Sequence, residues 1–288
     1  MQHKIDNIRE LQIQANDIRE NIISMLLTAG SGHTAGPLGM ADVFTALYFN
    51  LLRHDPANPY WEDRDRVVLS NGHICPVLYA TLAQVGYFPV AELQTLRTFG
   101  SRLQGHPHRE FLDIVENSSG PLGSGLSQAI GMAIASRIDT GKSGSRFFYC
   151  LLGDGELDEG QNWEAVLLAN KERLGNLIAI VDRNNIQIDG YTEDVMPMLD
   201  VAKKFESFGW HTQEIDGNNI SEIIDAVHRA QGVFSQPSVI IARTIPGKGV
   251  REFERKFEWH GKAPNPTEAK IALDELRTLG GKIKSEHK

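Results

Sequence analysis

Residues 147–156 read Phe147-Phe148-Tyr149-Cys150-Leu151-Leu152-Gly153-Asp154-Gly155-Glu156. An apolar run of this length, closed by a Gly-Asp-Gly turn, predicts a strand buried on both faces. The pattern then repeats. Residues 160–174 carry helical spacing, and Leu177 to Val181 is a second apolar run that ends in Asp182-Arg183-Asn184-Asn185. Helical periods follow over 200–208 and 220–231, with strand-like runs from Trp210 to Ile215 and from Ser238 to Thr244. Apolar strands separated by helices predict an α/β fold: a parallel sheet with helices on both faces.

The first half adds helices at about 38–52, 74–85, 90–98 and 125–138 and a short strand from Val67 to Leu69. An N-terminal helix is expected over about 5–29, because Ile5, Ile8, Leu11, Ala15, Ile18, Ile22 and Leu26 recur every three or four positions and Gly30 can end it. No linker, repeat or low-complexity stretch divides the chain, so residues 1–288 are expected to form a single domain with a flexible C-terminal tail from about 280.

The 288 residues are 41% hydrophobic and 23% charged, as in ordinary globular proteins, and 29 basic against 37 acidic side chains leave a net charge of −8. That balance argues against nucleic-acid binding, which rests on cationic contacts to phosphates. No stretch has the ~18 consecutive apolar residues a bilayer span requires. The N-terminus carries charges throughout and does not read as a signal peptide, so a cytoplasmic location is expected. Cys75 and Cys150 lie in apolar surroundings and read as reduced, buried thiols.

Glycine clusters at the ends of the periodic segments: GSGHTAGPLG at 30–39, NGH at 71–73, QGHPH at 104–108, SSGPLGSG at 118–125, LLGDGE at 151–156 and PGKG at 246–249. Loops of this kind, beyond the carboxyl ends of parallel strands, are where such sheets bind ligands. Asp154 sits beyond one strand end, and Asn184 and Asn185 close the next strand 29 and 30 positions after Gly155. A carboxylate, a carboxamide oxygen and a nearby main-chain carbonyl are hard oxygen ligands suited to Mg²⁺, which completes its shell with phosphate oxygens and water. Read as an exposed turn carboxylate, Asp154 is expected to be removable at little cost to the fold. Of ten histidines, four stand beside glycine in separate loops: His33, His73, His106 and His260. Imidazoles so placed can bind sugar hydroxyls and move protons near neutral pH. His3, His54, His108, His211, His228 and His287 read as structural or surface residues.

The pairing of GDG with NN about thirty residues later resembles the diphosphate-binding signature of thiamine diphosphate enzymes. SGH at 31–33, LSNGH at 69–73, GHP at 105–107, GPLG at 120–123, GDGELDEG at 153–160 and DRNNIQIDG at 182–190 occur in the order found in transketolase. The similarity runs from about residue 10 to about 265 and resembles only the N-terminal, diphosphate-binding half of a full-length transketolase. It implies the thiamine diphosphate-binding fold and ketol transfer between sugar phosphates, as in the pentose phosphate pathway. It also implies a separate C-terminal subunit with the pyrimidine-binding domain, in a two-plus-two heterotetramer. The cofactors implied are thiamine diphosphate and Mg²⁺, which Ca²⁺ or Mn²⁺ can replace. By the same resemblance, Asp154, Asn184 and the Ile186 carbonyl hold the metal, and Gly153, Gly155 and His73 contact the diphosphate. Gly120, Pro121 and Leu122 offer main-chain groups near the pyrimidine. His33 and His106 hold sugar hydroxyls, and His260 lies near the reacting carbon, touching cofactor and substrate oxygen. Glu159 resembles a glutamate in a carboxylate relay at the family's subunit interface, although a solvated helix N-terminus would equally account for Glu156, Asp158 and Glu159. Thr34 departs from the proline that many transketolases carry directly after the histidine corresponding to His33.

Competing readings are the α subunit of a 2-oxo acid dehydrogenase, a deoxyxylulose-phosphate synthase fragment and a non-catalytic cofactor-binding subunit. The first has less use for several sugar-binding histidines, and the last has none. Gly141-Lys142-Ser143 imitates the end of a P-loop, but Ser136 stands where its first glycine is required.

Overall fold

Five strands form one sheet, lying side by side in the order Arg66–Leu69, Phe148–Gly153, Leu177–Arg183, Ser238–Arg243 and His211–Asp216, and every neighbouring pair is parallel. The structure is a computed structural model that describes residues 4–140 and 146–285; His3, His287 and the Gly141-Lys142-Ser143 imitation lie outside them. The chain runs through α1 (Ile8–Ala29), α2 (Ala35–Ala46), β1 (Arg66–Leu69), α3 (Cys75–Val85), α4 (Ser124–Thr140), β2 (Phe148–Gly153), α5 (Gly160–Lys171) and β3 (Leu177–Arg183). It continues through a small hairpin, β4 (Ile186–Gln187) and β5 (Gly190–Tyr191), then α6 (Thr192–Val195), α7 (Val201–Ser207), β6 (His211–Asp216), α8 (Ile220–Gln231), β7 (Ser238–Arg243) and α9 (Pro266–Ser285).

The two-residue period of the strands divides the core. Tyr149, Leu151, Ile178, Ile180, Ile240 and Ala242 face a cluster built with α1, α2, α3 and α8. Phe148, Cys150, Leu152, Leu177, Ala179 and Val181 face a second cluster with α4, α5 and α7. Both sheet faces are therefore covered, as the apolar runs require. The buried Cys75 and Cys150 are free thiols, and burial pushes the Cys75 thiol up to about 12. Among the described residues no helix is long and apolar enough to cross a membrane.

Local chemistry sets the element ends. Asn7 caps α1 by accepting from the Arg9 and Glu10 N–H groups, and Gly30 ends it at φ 63°, a conformation that glycine adopts without Cβ strain. The helix expected over 90–98 is only a short 3-10 turn, Val90–Thr95, because Arg97 turns left-handed at φ 58° and stops it. The region expected as one helix over 38–52 begins earlier, at Ala35, and ends in a π-helical turn, Leu47–Leu51. The small hairpin and α9 carry no expectation from the sequence. Helix α9 runs to Ser285, and its Gly280 is packed so closely against Asn16 that an added Cβ would lie 2.9 Å from the amide nitrogen.

Candidate functional site

The carboxyl ends of β1, β2 and β3 open into a cavity of about 390 Å³. The turn after β1 supplies Asn71 and His73, the end of β2 and the turn after it supply Gly153, Asp154 and Gly155, and the end of β3, the turn after it and the start of β4 supply Asp182, Asn184 and Ile186. His33, His106 and His260 arrive from loops far apart in sequence, with Gly120 and Leu122 closing one wall. The structure thus gathers all four glycine-flanked histidines and the Gly-Asp-Gly and Asn-Asn turns around one space. Pro121 and Glu159 are not among its lining residues. Glu159 is exposed at the start of α5 and forms no side-chain cap there.

The imidazoles of His33, His73 and His260 form a triangle, with ring centroids 4.9, 5.1 and 5.3 Å apart. Burial is the first cause that lowers all three, and it is reinforced by mutual repulsion for His33 and His73. His33 is held down to about 4 by burial and by the charges of His260, Arg97 and His106. His106 is also lowered, by burial and by Arg97. The cluster is therefore neutral at pH 7, each ring offering one donor and one acceptor. His54, by contrast, is fully engaged with Tyr87 and the Tyr48 carbonyl, a structural role.

The lowered His33 value has a consequence for stability. Between pH 6.5 and 4 the unfolded chain takes up a proton at this residue while the folded chain does not, so stability falls as pH falls through that window. Allowing for partial solvent access, His33 should account for about 2 kcal/mol of that loss. Asp182 has the opposite sign: burial, reinforced by the Asp154 charge against donors from Thr244 and Asn184, pushes its carboxyl up to about 7, so the folded chain gains a proton first as pH falls. Comparing urea unfolding of wild type and His33→Asn, both of which keep Asp182, isolates the histidine. The stability difference should change across pH 6.5 to 4; parallel curves would contradict the assignment.

Asp154 is not the exposed turn carboxylate expected from sequence. It is 1% exposed. One oxygen, Oδ1, accepts from the Gly155 N–H at 2.8 Å. The other, Oδ2, accepts from the Asn185 N–H at 2.7 Å, the Arg183 guanidinium at 3.1 Å and the Thr192 hydroxyl at 3.4 Å. Burial raises its carboxyl, and the Asn185 N–H and Arg183 partly offset this. Asn185 reaches it from a left-handed turn, φ 64°, which asparagine tolerates better than most side chains. Asn184 donates to Asp182 Oδ2 at 2.7 Å and accepts from the Ile186 N–H at 3.0 Å, which fixes its carboxamide while leaving one oxygen lone pair. Among the described residues no group of three or more His, Cys, Asp or Glu could hold a metal ion, so a cation here needs carboxamide and main-chain oxygens as well.

Two residues that line the cavity escaped the sequence reading. Glu156 is buried at 2% exposure rather than part of a solvated helix N-terminus. Its carboxylate accepts from the Ser70 hydroxyl, from the Gly123 N–H at 2.7 Å and from the Gly153 N–H at 3.0 Å, so it fastens the LSNGH, GPLG and GDG turns to one another. Gly123 must be glycine: at φ 83°, a Cβ would lie 2.9 Å from Glu159 Cβ. The second is Asn71, fully buried against the cavity, with both amide atoms lacking a hydrogen-bond partner among the described residues. An unpaired buried amide costs about 1–3 kcal/mol, so a ligand that supplies its partners is the natural account. The Asn71 of LSNGH was visible in sequence, but nothing there marked its side chain as unpartnered.

With this geometry in hand, comparisons with known proteins are specific. Residues 11–278 match the family described as the thiamine diphosphate binding domain of transketolase. The chain is 43% identical to a 6-deoxy-6-sulfo-D-fructose transketolase subunit of Clostridium sp. (strain MSTE9), over 94% of this chain and 98% of that protein. It is 40% identical to one of the subunits of an apulose-4-phosphate transketolase from Actinobacillus succinogenes, over 93% and 96% of the two chains. Among solved structures, a transketolase variant from Pichia stipitis superposes with a TM-score of 0.87 at 34% identity, covering 95% of this chain and 41% of that one. Transketolase from Campylobacter jejuni superposes at 0.84, with 34% identity and coverage of 97% and 48%.

Proposed function

The chain belongs to the transketolase family, whose thiamine diphosphate-binding domain it constitutes, and we propose that it works as the N-terminal subunit of a split transketolase with a C-terminal, pyrimidine-binding partner. Near-complete coverage of relatives that are themselves named subunits supports the split arrangement. These relatives favour transketolase over the α subunit of a 2-oxo acid dehydrogenase. A soluble, cytoplasmic two-plus-two heterotetramer is the assembly we propose.

The observation that carries the site assignment is the buried, unpartnered Asn71 amide beside Asp154 and the histidine triangle. The cavity fits the cofactor: it offers polar atoms awaiting partners, glycine turns that leave room, and hard oxygen donors. Asp154, Asn184 and the Ile186 carbonyl would hold Mg²⁺, and Gly153, Gly155 and His73 would hold the diphosphate, with Asn71 added to the set. Gly120, Pro121 and Leu122 would present main-chain groups toward the pyrimidine. When bound, thiamine diphosphate supplies the carbanion chemistry of ketol transfer. This chain positions and moves protons. His33 and His106, neutral at pH 7, bind hydroxyls of the sugar donor. His260, also lowered by burial, gives a proton to or takes one from the substrate oxygen next to the reacting carbon. Glu159, exposed beside the GPLG loop, would join a carboxylate relay with another subunit. The substrate class we propose is a ketose with an anionic terminal group exchanging two carbons with an aldose phosphate, since relatives are named for a sulfonated and a phosphorylated sugar.

Paired histidine variants test this assignment in the assembled enzyme. His106→Ala should lose roughly 2- to 13-fold at subsaturating donor, the value of one neutral hydrogen bond to a sugar hydroxyl, with cofactor affinity nearly unchanged. His73→Ala should instead raise the cofactor requirement. Equal loss of cofactor affinity in both, with no donor defect at saturating cofactor, would contradict this division of labour.

A further inference from the structure

Arg183 interrupts the site in a way the proposed cofactor chemistry does not require. It stands between Asp182 and Asn184, and its side chain is buried, with 8% of its surface exposed. One guanidinium nitrogen lies 3.1 Å from Asp154 Oδ2, and the other is paired with Glu193 at the start of α6. Glu193 is half-exposed and also accepts from the Leu199 N–H at 3.3 Å. A cation is therefore bound to the one carboxylate that, in the proposed site, attracts the divalent ion. Thr192, next to Glu193, reaches the same Asp154 oxygen at 3.4 Å, so α6 approaches Asp154 both directly and through Arg183.

We propose that Arg183 is a positioning residue that sets the divalent-ion requirement of this subunit, sharing its charge between Asp154 and Glu193. The inference rests on Asp154 being the metal ligand. A guanidinium beside a carboxylate stabilises the ionised form, because its field opposes that of the anion. The same field opposes the approach of a second cation. The arrangement fixes the Asp154 carboxylate without metal, so the turn is formed before the ion arrives, and it weakens the hold on that ion. Glu193 limits the weakening, because it draws part of the guanidinium charge away from Asp154.

The two functions predict effects of opposite sign, which loss of structure would not produce. In the complex of this chain with its C-terminal partner, at pH 8 so that Asp154 stays ionised, the Mg²⁺ concentration for half-maximal thiamine diphosphate binding can be read from intrinsic fluorescence. Arg183→Met should lower it on the order of tenfold, while lowering the thermal midpoint of the metal-free protein. Arg183→Lys, which keeps the charge and loses the fork, should stay near the wild-type requirement. Glu193→Gln, at a half-exposed position, should raise the requirement several-fold with little change in thermal midpoint. This last variant decides the matter if Arg183→Met fails to fold. An unchanged or lowered requirement in Glu193→Gln, or a raised one in folded Arg183→Met, would overturn the proposal. Asp154→Asn separates the premise: if it leaves the Mg²⁺ dependence intact, the site assignment fails, whereas a lost dependence with unresponsive Arg183 and Glu193 variants refutes only this inference.

Discussion

Asp154→Ala is expected to lower the affinity of the assembled enzyme for thiamine diphosphate by at least ~100-fold at fixed Mg²⁺, or about 2.7 kcal/mol. It removes the only anionic ligand of the proposed metal site and leaves the diphosphate without its cation. The same change should cost about 3 kcal/mol of folding stability, since the Arg183 guanidinium and the Asn185 and Gly155 N–H groups lose a buried acceptor. The sequence alone pointed to a negligible cost; the 1% exposure of Asp154 reverses that expectation. Asp154→Asn separates the two effects, because the amide keeps the shape and one acceptor but loses the charge. Isothermal titration of cofactor into both complexes, beside their unfolding midpoints, is the check. Undiminished cofactor affinity in a folded Asp154→Asn complex would remove Asp154 from the metal site.

How far the fold was legible followed from where the signal is periodic. The strands containing Leu151 and Ile180 carry continuous apolar runs bounded by Gly-Asp-Gly and Asn-Asn, so their type was readable and their ends to within two residues. The β4–β5 hairpin has only two residues in each strand, too few for any period to register. The segment from Val90 failed for another reason: its composition suits a helix, but the left-handed backbone of Arg97 and the backbone pairing of its N–H with the Leu103 carbonyl bend it away. Helix α9 has a broken apolar stripe whose meaning depends on α1, against which it packs.

The site divides in the same manner. His33, His73, His106 and His260 could be picked out because each stands beside glycine, a local mark. Their convergence into a triangle, with His106 nearby, is a property of loops far apart in the chain and could enter only through resemblance. Glu156 lay in full view within GDGE, yet acidic residues after a turn ordinarily face water. Only the arrival of Ser70, Gly123 and Gly153 around it makes it a buried clasp. Arg183 was passed over because its partners, Asp154 and Glu193, are 29 and 10 positions away.

The central claim is that these 288 residues supply half of an active site. They correspond to 41% of a one-chain transketolase, and the relatives they match along nearly their whole length are named subunits. In the proposed reading the cavity binds the diphosphate and the sugar, and the pyrimidine-binding partner supplies the groups that activate the other end of the cofactor. The direct measurement is ketol transfer by the purified chain with thiamine diphosphate, Mg²⁺, a ketose donor and an aldose phosphate acceptor, before and after addition of the C-terminal partner. The expected result is no turnover by the chain alone and activity that rises with the partner until the two are equimolar. Sustained turnover by the chain alone would contradict the split-site claim.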